Sequence, residues 1–204
     1  HSHCQIYHQV GDCIMPREGV FARVLHGGWV TVGDTMEITT EPIPLDAAVI
    51  TASDKGARGE REDKSGTAIR EMLAEAGYHV AGFNIVPDEK EVLVREMTLW
   101  ADRGVALILT TGGTGFSVRD VTPEATRAVI ERETPGIPEA MRALSMQITP
   151  RAMLTRAAAG IRKRSLIVNL PGSEKAVREC LEFILPQLQH GVEILRGDTG
   201  ECAR

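Results

Sequence analysis

From Leu45 onward, two hydrophobic patterns alternate along the chain. Short apolar runs at Ala47–Ile50 and Val105–Leu109 have the length and side-chain types of buried strands, and Val80–Val86 reads as a further strand. Between them lie longer stretches with helical spacing. One starts near Ser65, turns Ile69, Met72, Leu73 and Ala76 inward and stops at Gly77. The next presents Val92, Leu93, Met97 and Trp100 and ends at Gly104, with Asp88 standing where an N-cap is wanted. A third opens on Thr122 as N-cap, Pro123 at the first helical position and Glu124 in the first turn. After the break at Thr134-Pro135-Gly136, Ile137–Ile148 is expected to be helical, with Met141, Leu144 and Ile148 on one side. Two strands then flank the basic turn Arg162-Lys163-Arg164, and the second runs through Ser165–Val168 into Asn169-Leu170-Pro171-Gly172-Ser173. The last helix buries Val177, Cys180, Leu181, Ile184 and Leu188, with Pro186 bending or restarting it. This alternation predicts an α/β fold: a three-layer, mostly parallel sheet with helices on both faces.

The first part of the chain reads differently. Residues 1–38 carry a β pattern, with Val20–Leu25, a His26-Gly27-Gly28 turn and Trp29–Val32. Residues 39–44 form a linker stiffened by Pro42 and Pro44, and 45–204 form the main domain. His1, His3, Cys4, His8 and Cys13 invite a zinc site, but their spacing fits no standard one. Gly197 to Arg204 are expected to fray.

Composition narrows the classes. A net charge of -5 argues against a nucleic-acid-binding role, and 4% aromatic residues argue against base-stacking platforms. Four cysteines in two distant pairs give no legible disulfide framework. No membrane span or signal segment is visible, so the cytoplasm is the expected location.

The chemistry gathers around Thr110-Thr111-Gly112-Gly113-Thr114-Gly115, followed by Arg119-Asp120. Strand, glycine turn and helix together put free backbone N–H groups around an anion. A carboxylate just past such a turn needs a metal ion between it and a phosphate, which points to Mg²⁺-assisted chemistry. Asp88, besides its capping position, falls at the same end of the sheet as Asp120; two converging carboxylates would bind Mg²⁺ or orient a nucleophile. Ser53 and Asp54 close the first strand at that end too. The polar loop from Lys55 to Lys64 reads either as a solvated loop or as a flap over an anion. Asn169 and Ser173 could hold a nucleotide, and Ser173 could equally be only a cap. Gly-x-Gly-x-x-Gly does not follow the first strand, where Ser53-Asp54-Lys55-Gly56 stands, so a dinucleotide dehydrogenase is discarded. No Gly-Lys-Ser/Thr follows a glycine loop, which discards a P-loop kinase.

Thr111–Gly115 with Arg119–Thr126 resembles the signature of the molybdopterin adenylyltransferases, the group that includes the G domain of gephyrin. Glu133–Gly136 with Met141-Arg142, Ala158–Arg162 and Leu166–Ser173 match further motifs in order, from about Leu45 to about Arg196. The resemblance implies a usually trimeric α/β protein that binds molybdopterin and Mg-ATP, joins AMP to the pterin's terminal phosphate and releases pyrophosphate. It places Asp88 and Asp120 as catalytic, Mg²⁺-binding aspartates, and Thr111, Gly112, Gly113, Thr114, Gly115 and Arg119 around the pterin phosphate. Ser53 and Asp54, with Asp63, come near the ligands, and Asn169, Pro171, Gly172 and Ser173 hold the nucleotide. Arg164 departs from the small or polar residue usual at its place. Cys13–Val24 resembles the C-terminal end of a MOSC domain, which implies a fragment of a longer fusion. The rival reading is a molybdopterin-binding carrier or scaffold without catalysis, against which the retention of both aspartates counts.

Overall fold

The computed structural model describes Trp29 and residues 31–35 and 45–197. The chain divides into two units, His1–Glu41 and Pro42–Arg204. In the first, Thr31–Asp34 forms a turn in which the Thr31 N–H donates to Asp34 Oδ2 at 2.8 Å, so Thr31 and Val32 do not continue a strand. The MOSC-like motif, the His/Cys candidates, the linker and the residues past Gly197 that are expected to fray lie outside the described residues.

The second unit is a six-stranded sheet. Its strands are β1 (Asp46–Ala52), β2 (His79–Val86), β3 (Leu107–Thr111), β4 (Arg132–Glu133), β5 (Ala159–Arg162) and β6 (Ser165–Leu170), in the order β2-β1-β3-β6-β5-β4. The four strands β2, β1, β3 and β6 pair in parallel, while β5 and β4 pair antiparallel at the far edge. The helices are α1 (Asp54–Ala57), α2 (Lys64–Glu75), α3 (Lys90–Asp102), α4 (Thr122–Val129), α5 (Gly136–Met146) and α6 (Glu174–Arg196).

Two-residue periodicity decides which face each strand residue serves. Ala47, Val49, Leu107, Leu109, Leu166 and Val168 pack with Ile69 and Leu73 of α2, Met141 of α5 and Val177, Leu181 and Ile184 of α6. Ala48, Ile50, Ile108 and Ile167 pack on the opposite side with Leu93, Met97 and Trp100 of α3 and Ala125 and Val129 of α4. The predicted three-layer architecture is therefore the observed one. With both faces covered, the central parallel strands β1, β3 and β6 keep their polar side chains at their ends, and the C-terminal ends carry the site.

Several local expectations are corrected. α4 begins one residue earlier than predicted: Val121, not Thr122, occupies the N-cap, without a side-chain bond, and Thr122 is the first helical residue and fully buried. Asp88 does not cap α3, whose N-cap is Glu89, also without a side-chain bond. The Lys55–Lys64 segment contains the short helix α1, capped by Ser53 Oγ, which accepts from Gly56 N at 3.0 Å. Ala76 and Ile148 are exposed rather than buried. Pro186 lies inside an uninterrupted α6. The two-residue β4 and a 3₁₀ turn at Pro150–Leu154 were not anticipated.

Candidate functional site

The parallel strands β1, β2, β3 and β6 all end at one edge of the sheet, and a cavity of about 680 Å³ opens there. Its lining comes from the loop after β1 (Ser53), the start of α2 (Asp63 to Ser65), Asp88 after β2, Thr111 to Gly113 after β3, Asp120, and Gly172 to Glu174. The N-terminal ends of α2 and α6 thus both face the cavity and bring the positive ends of their dipoles to it.

The cradle is built from the glycine turn. Gly112 and Gly113 have φ of 90° and 62°, left-handed conformations in which side chains are strained. A Cβ at Gly112 would run into the Ala52 carbonyl oxygen, and one at Gly113 into the Thr122 hydroxyl. The carbonyls of this turn are occupied: Gly113 O accepts from Thr122 N at 3.1 Å and Thr114 O from Arg156 N at 2.9 Å. The N–H groups of Gly112, Gly113, Thr114 and Gly115 donate to no partner among the described residues. Carbonyls tied back and successive amides left open is the arrangement of an anion nest.

The two aspartates sit in different surroundings. Asp88 Oδ2 accepts from the Asp54 N–H at 2.9 Å, and the Asp88 N–H donates back to Asp54 Oδ1 at 3.1 Å. Burial pushes the Asp88 carboxyl above its ordinary range, the Asp54 amide opposes that, and the charges of Asp54 and Asp120 add to the rise. Asp120 Oδ2 accepts from Ser117 N at 2.8 Å. Asp54 in turn holds Arg119 as a forked pair, Nη2 to Oδ1 at 2.8 Å and Nε to Oδ2 at 3.1 Å, and this bonding lowers the Asp54 carboxyl. Asp88, Asp54 and Arg119 form one chain of contacts across three loops.

Of the predicted site residues, Ser53, Asp88, Thr111, Gly112, Gly113, Asp120, Gly172 and Ser173 meet in this cavity. Asp54, Thr114, Gly115 and Arg119 do not line it. Asn169 does not belong to it. Its side chain is fully buried and fully used: Oδ1 accepts from Ala158 N at 3.0 Å, and Nδ2 donates to Thr110 Oγ1 at 2.9 Å and Thr126 Oγ1 at 2.7 Å. Asn169 is a core strut joining β6, β3 and α4, not a nucleotide contact. Pro171 contributes its carbonyl to Thr111 Oγ1 at 2.6 Å, and Gly172 its carbonyl to Ser65 Oγ at 2.9 Å, so the turn after β6 is pinned to β3 and α2. Ser173 Oγ caps α6 at Ala176 N.

The sequence reading passed over Thr51, Arg61, Lys64 and Ser65. Thr51 Oγ1 donates to Asp63 Oδ2 at 2.6 Å, and Asp63 Oδ1 caps α2 at Gly66 N, which fixes the start of that helix over the cavity. Arg61 and Lys64 line the cavity and are in no ion pair among the described residues. Their places in the polar loop were the signal available. The basic turn at Arg162–Arg164 is the β5–β6 hairpin, where Arg162 and Lys163 pair with Asp102; its residues do not line the cavity.

A parallel α/β sheet whose strand ends gather open backbone amides and two carboxylates has the arrangement that commonly receives phosphorylated ligands. Residues 48–190 match the family described as "Probable molybdopterin binding domain". The molybdopterin adenylyltransferase of Helicobacter pylori strain J99 is 42% identical over 153 residues, covering 74% of this chain and 87% of that protein. The crystal structure of the molybdopterin biosynthesis enzyme MoaB from Thermus thermophilus superposes with a TM-score of 0.71 at 50% identity, over 75% of this chain and 97% of that one. The tungsten cofactor synthesizing protein MoaB of Pyrococcus furiosus has a TM-score of 0.70 at 37% identity, over 76% and 99%. The chain belongs to the molybdopterin adenylyltransferase family.

Proposed function

We propose that this protein adenylylates molybdopterin with Mg-ATP in molybdenum cofactor biosynthesis. The observation that carries the reading is the row of open amides at Gly112–Gly115 beside a cavity shared by Asp88 and Asp120. The pterin's terminal phosphate lies in the nest. One of its oxygens attacks the α-phosphorus of ATP, the bond from that phosphorus to the bridging oxygen breaks, and pyrophosphate leaves. Holding the two phosphates in line, in a site whose dipoles are already oriented, carries most of the rate. Arg61 and Lys64 are the free cations available to the triphosphate, and the start of α6 at Ser173 faces the same ligand.

The donor set suits an ion that arrives with the nucleotide. Mg²⁺ keeps several waters and needs one or two carboxylates besides substrate phosphates. Asp88 and Asp120 supply two, and no denser His, Cys, Asp or Glu cluster stands among the described residues. When bound, Mg²⁺ neutralises charge on the phosphates. Asp88 and Asp120 would hold it and so fix the pterin phosphate against the nucleotide. Asp54 fixes Asp88 through the paired amide bonds.

The trimer implied by the resemblance belongs to this reading, supported by exposed Met146 at the end of α5 and Ile148, Met153 and Leu154 beyond it. No helix among the described residues is long and apolar enough to cross a membrane, which is consistent with a cytoplasmic enzyme.

ATP labelled at the α-phosphate tests the reaction. The label is expected in the pterin product, with one unlabelled pyrophosphate released per product. Pterin binding without label transfer would favour the carrier reading, and label released as free AMP would refute the transfer.

A further inference from the structure

Arg156 lies between the 3₁₀ turn and β5, on no regular element, yet nearly all its bonding goes to one loop. Its N–H donates to Thr114 O at 2.9 Å and its Nε to Gly115 O at 2.7 Å. Its Nη2 donates to Asp120 O, and its Nη1 pairs with Glu124 Oε1 at the start of α4. Gly115 and Asp120 are the two ends of the segment that carries Phe116 to Arg119. Phe116 is 69% exposed and Val118 95%, so apolar packing does not hold that segment. Inside it, Asp120 N donates to Ser117 O at 2.9 Å and Asp120 Oδ2 accepts from Ser117 N at 2.8 Å. The loop is closed on itself at 117 and 120, and clamped from outside at 115 and 120 by one guanidinium.

The two carbonyls and the carboxylate are met by three different nitrogens of one planar fork, whereas an ammonium offers its three donors from a single atom. Arg156 does not line the main cavity, so it does not bind the ligands there.

We propose that Arg156 is a positioning residue for Asp120, clamping both ends of the loop so that the Asp120 carboxylate is held at the cavity. This rests on the adenylylation reading, in which Asp120 acts on the reacting phosphates. A displacement of about 1 Å at such a group can cost on the order of 10²-fold in rate, so loss of the clamp appears in kcat through Asp120.

The test combines hydrogen exchange with a double-mutant cycle on Arg156→Met, Asp120→Asn and the double variant, with Arg156→Lys alongside. In Arg156→Met, the Ser117 and Asp120 amides are expected to exchange at least tenfold faster while β3 and β6 amides keep their protection. Its kcat falls at least tenfold, KM for ATP stays within threefold, and Arg156→Lys falls between it and wild type. Adding Arg156→Met to Asp120→Asn slows turnover less than a further threefold, because the carboxylate being positioned is already gone. Unchanged exchange in the loop overturns the clamp, whatever the activity. Faster exchange with fully multiplicative rate losses overturns the action through Asp120 and leaves a structural residue. A wild type that makes no adenylylated pterin refutes the adenylylation reading and the positioning role with it, a failure distinct from the other two because the exchange data still report the clamp.

Discussion

Asn169→Ala separates a core strut from a ligand contact. The side chain makes three hydrogen bonds in a site with no solvent exposure, reaching Ala158 N, Thr110 Oγ1 and Thr126 Oγ1. Each contributes about 1 kcal/mol net, and truncation leaves the buried Ala158 N–H unpaired at a further cost of about 1–3 kcal/mol. The total is about 4–6 kcal/mol, a large share of the roughly 5–15 kcal/mol that holds a domain folded. For a domain of this size about 2–4 °C is lost per kcal/mol, so the melting temperature falls by roughly 10–20 °C. Thermal denaturation reads this directly, and KM for ATP, measured well below the new transition, stays within about threefold of wild type. Asn169→Ser, which keeps one acceptor, falls between the two. A melting temperature within 2 °C of wild type, joined to a KM for ATP raised tenfold or more, would refute the strut and restore the nucleotide contact.

Other outcomes follow from the site's electrostatics and shape. Because burial raises the Asp88 carboxyl in the native state, its ionised form weakens folding. The stability this group allows is greatest on the acid side and is lost as pH rises through the raised native pKa. Asp88→Asn therefore melts higher than wild type at pH 7, and the gain shrinks as pH falls to the ordinary aspartate range; activity is lost at every pH. The acid limb of kcat/KM, which reports the free enzyme, sits above the ordinary aspartate value and moves to lower pH in Asp54→Asn, which removes a like charge beside Asp88 but keeps the Asp54 amide; a limb that stays put contradicts this. The Asp54 carboxyl is lowered chiefly by its bond to Arg119, so that pair contributes above the usual aspartate pKa and is lost as pH falls through the depressed one. Gly112→Ala places a side chain at φ 90° against the Ala52 carbonyl. It is expected to cost about 1–3 kcal/mol in strain and to weaken pterin binding at least tenfold by calorimetry, and an unchanged affinity would mean that the nest does not hold the phosphate.

The sheet was legible in the sequence because parallel strands buried on both faces leave unbroken apolar runs, and the glycine turn after Leu109 marked the edge where the strands end. Polar residues at that edge were harder to sort. Asn169 and Ser173 look alike in a strand-turn-helix junction, but only the fold brings Thr110, Thr126 and the Ala158 amide around Asn169. Asp88 had a capping position and a functional one, and its exchange of amide bonds with Asp54, 34 residues away in sequence, decides against the cap. Arg156 gave no local signal, since its partners at Thr114, Gly115, Asp120 and Glu124 are reached only by chain folding. β4 at two residues is too short for periodicity to register.

Single-turnover adenylyl transfer by wild type and Asp120→Asn, with pterin affinity measured on both, tests the central claim most directly. The account predicts adenylylated molybdopterin and pyrophosphate from wild type. It predicts pterin binding within threefold in the variant and turnover at least tenfold slower, a barrier increase of about 1.4 kcal/mol or more. Equal rates would remove Asp120 from the chemistry, and tight pterin binding by a wild type that forms no product would leave a carrier instead of an enzyme.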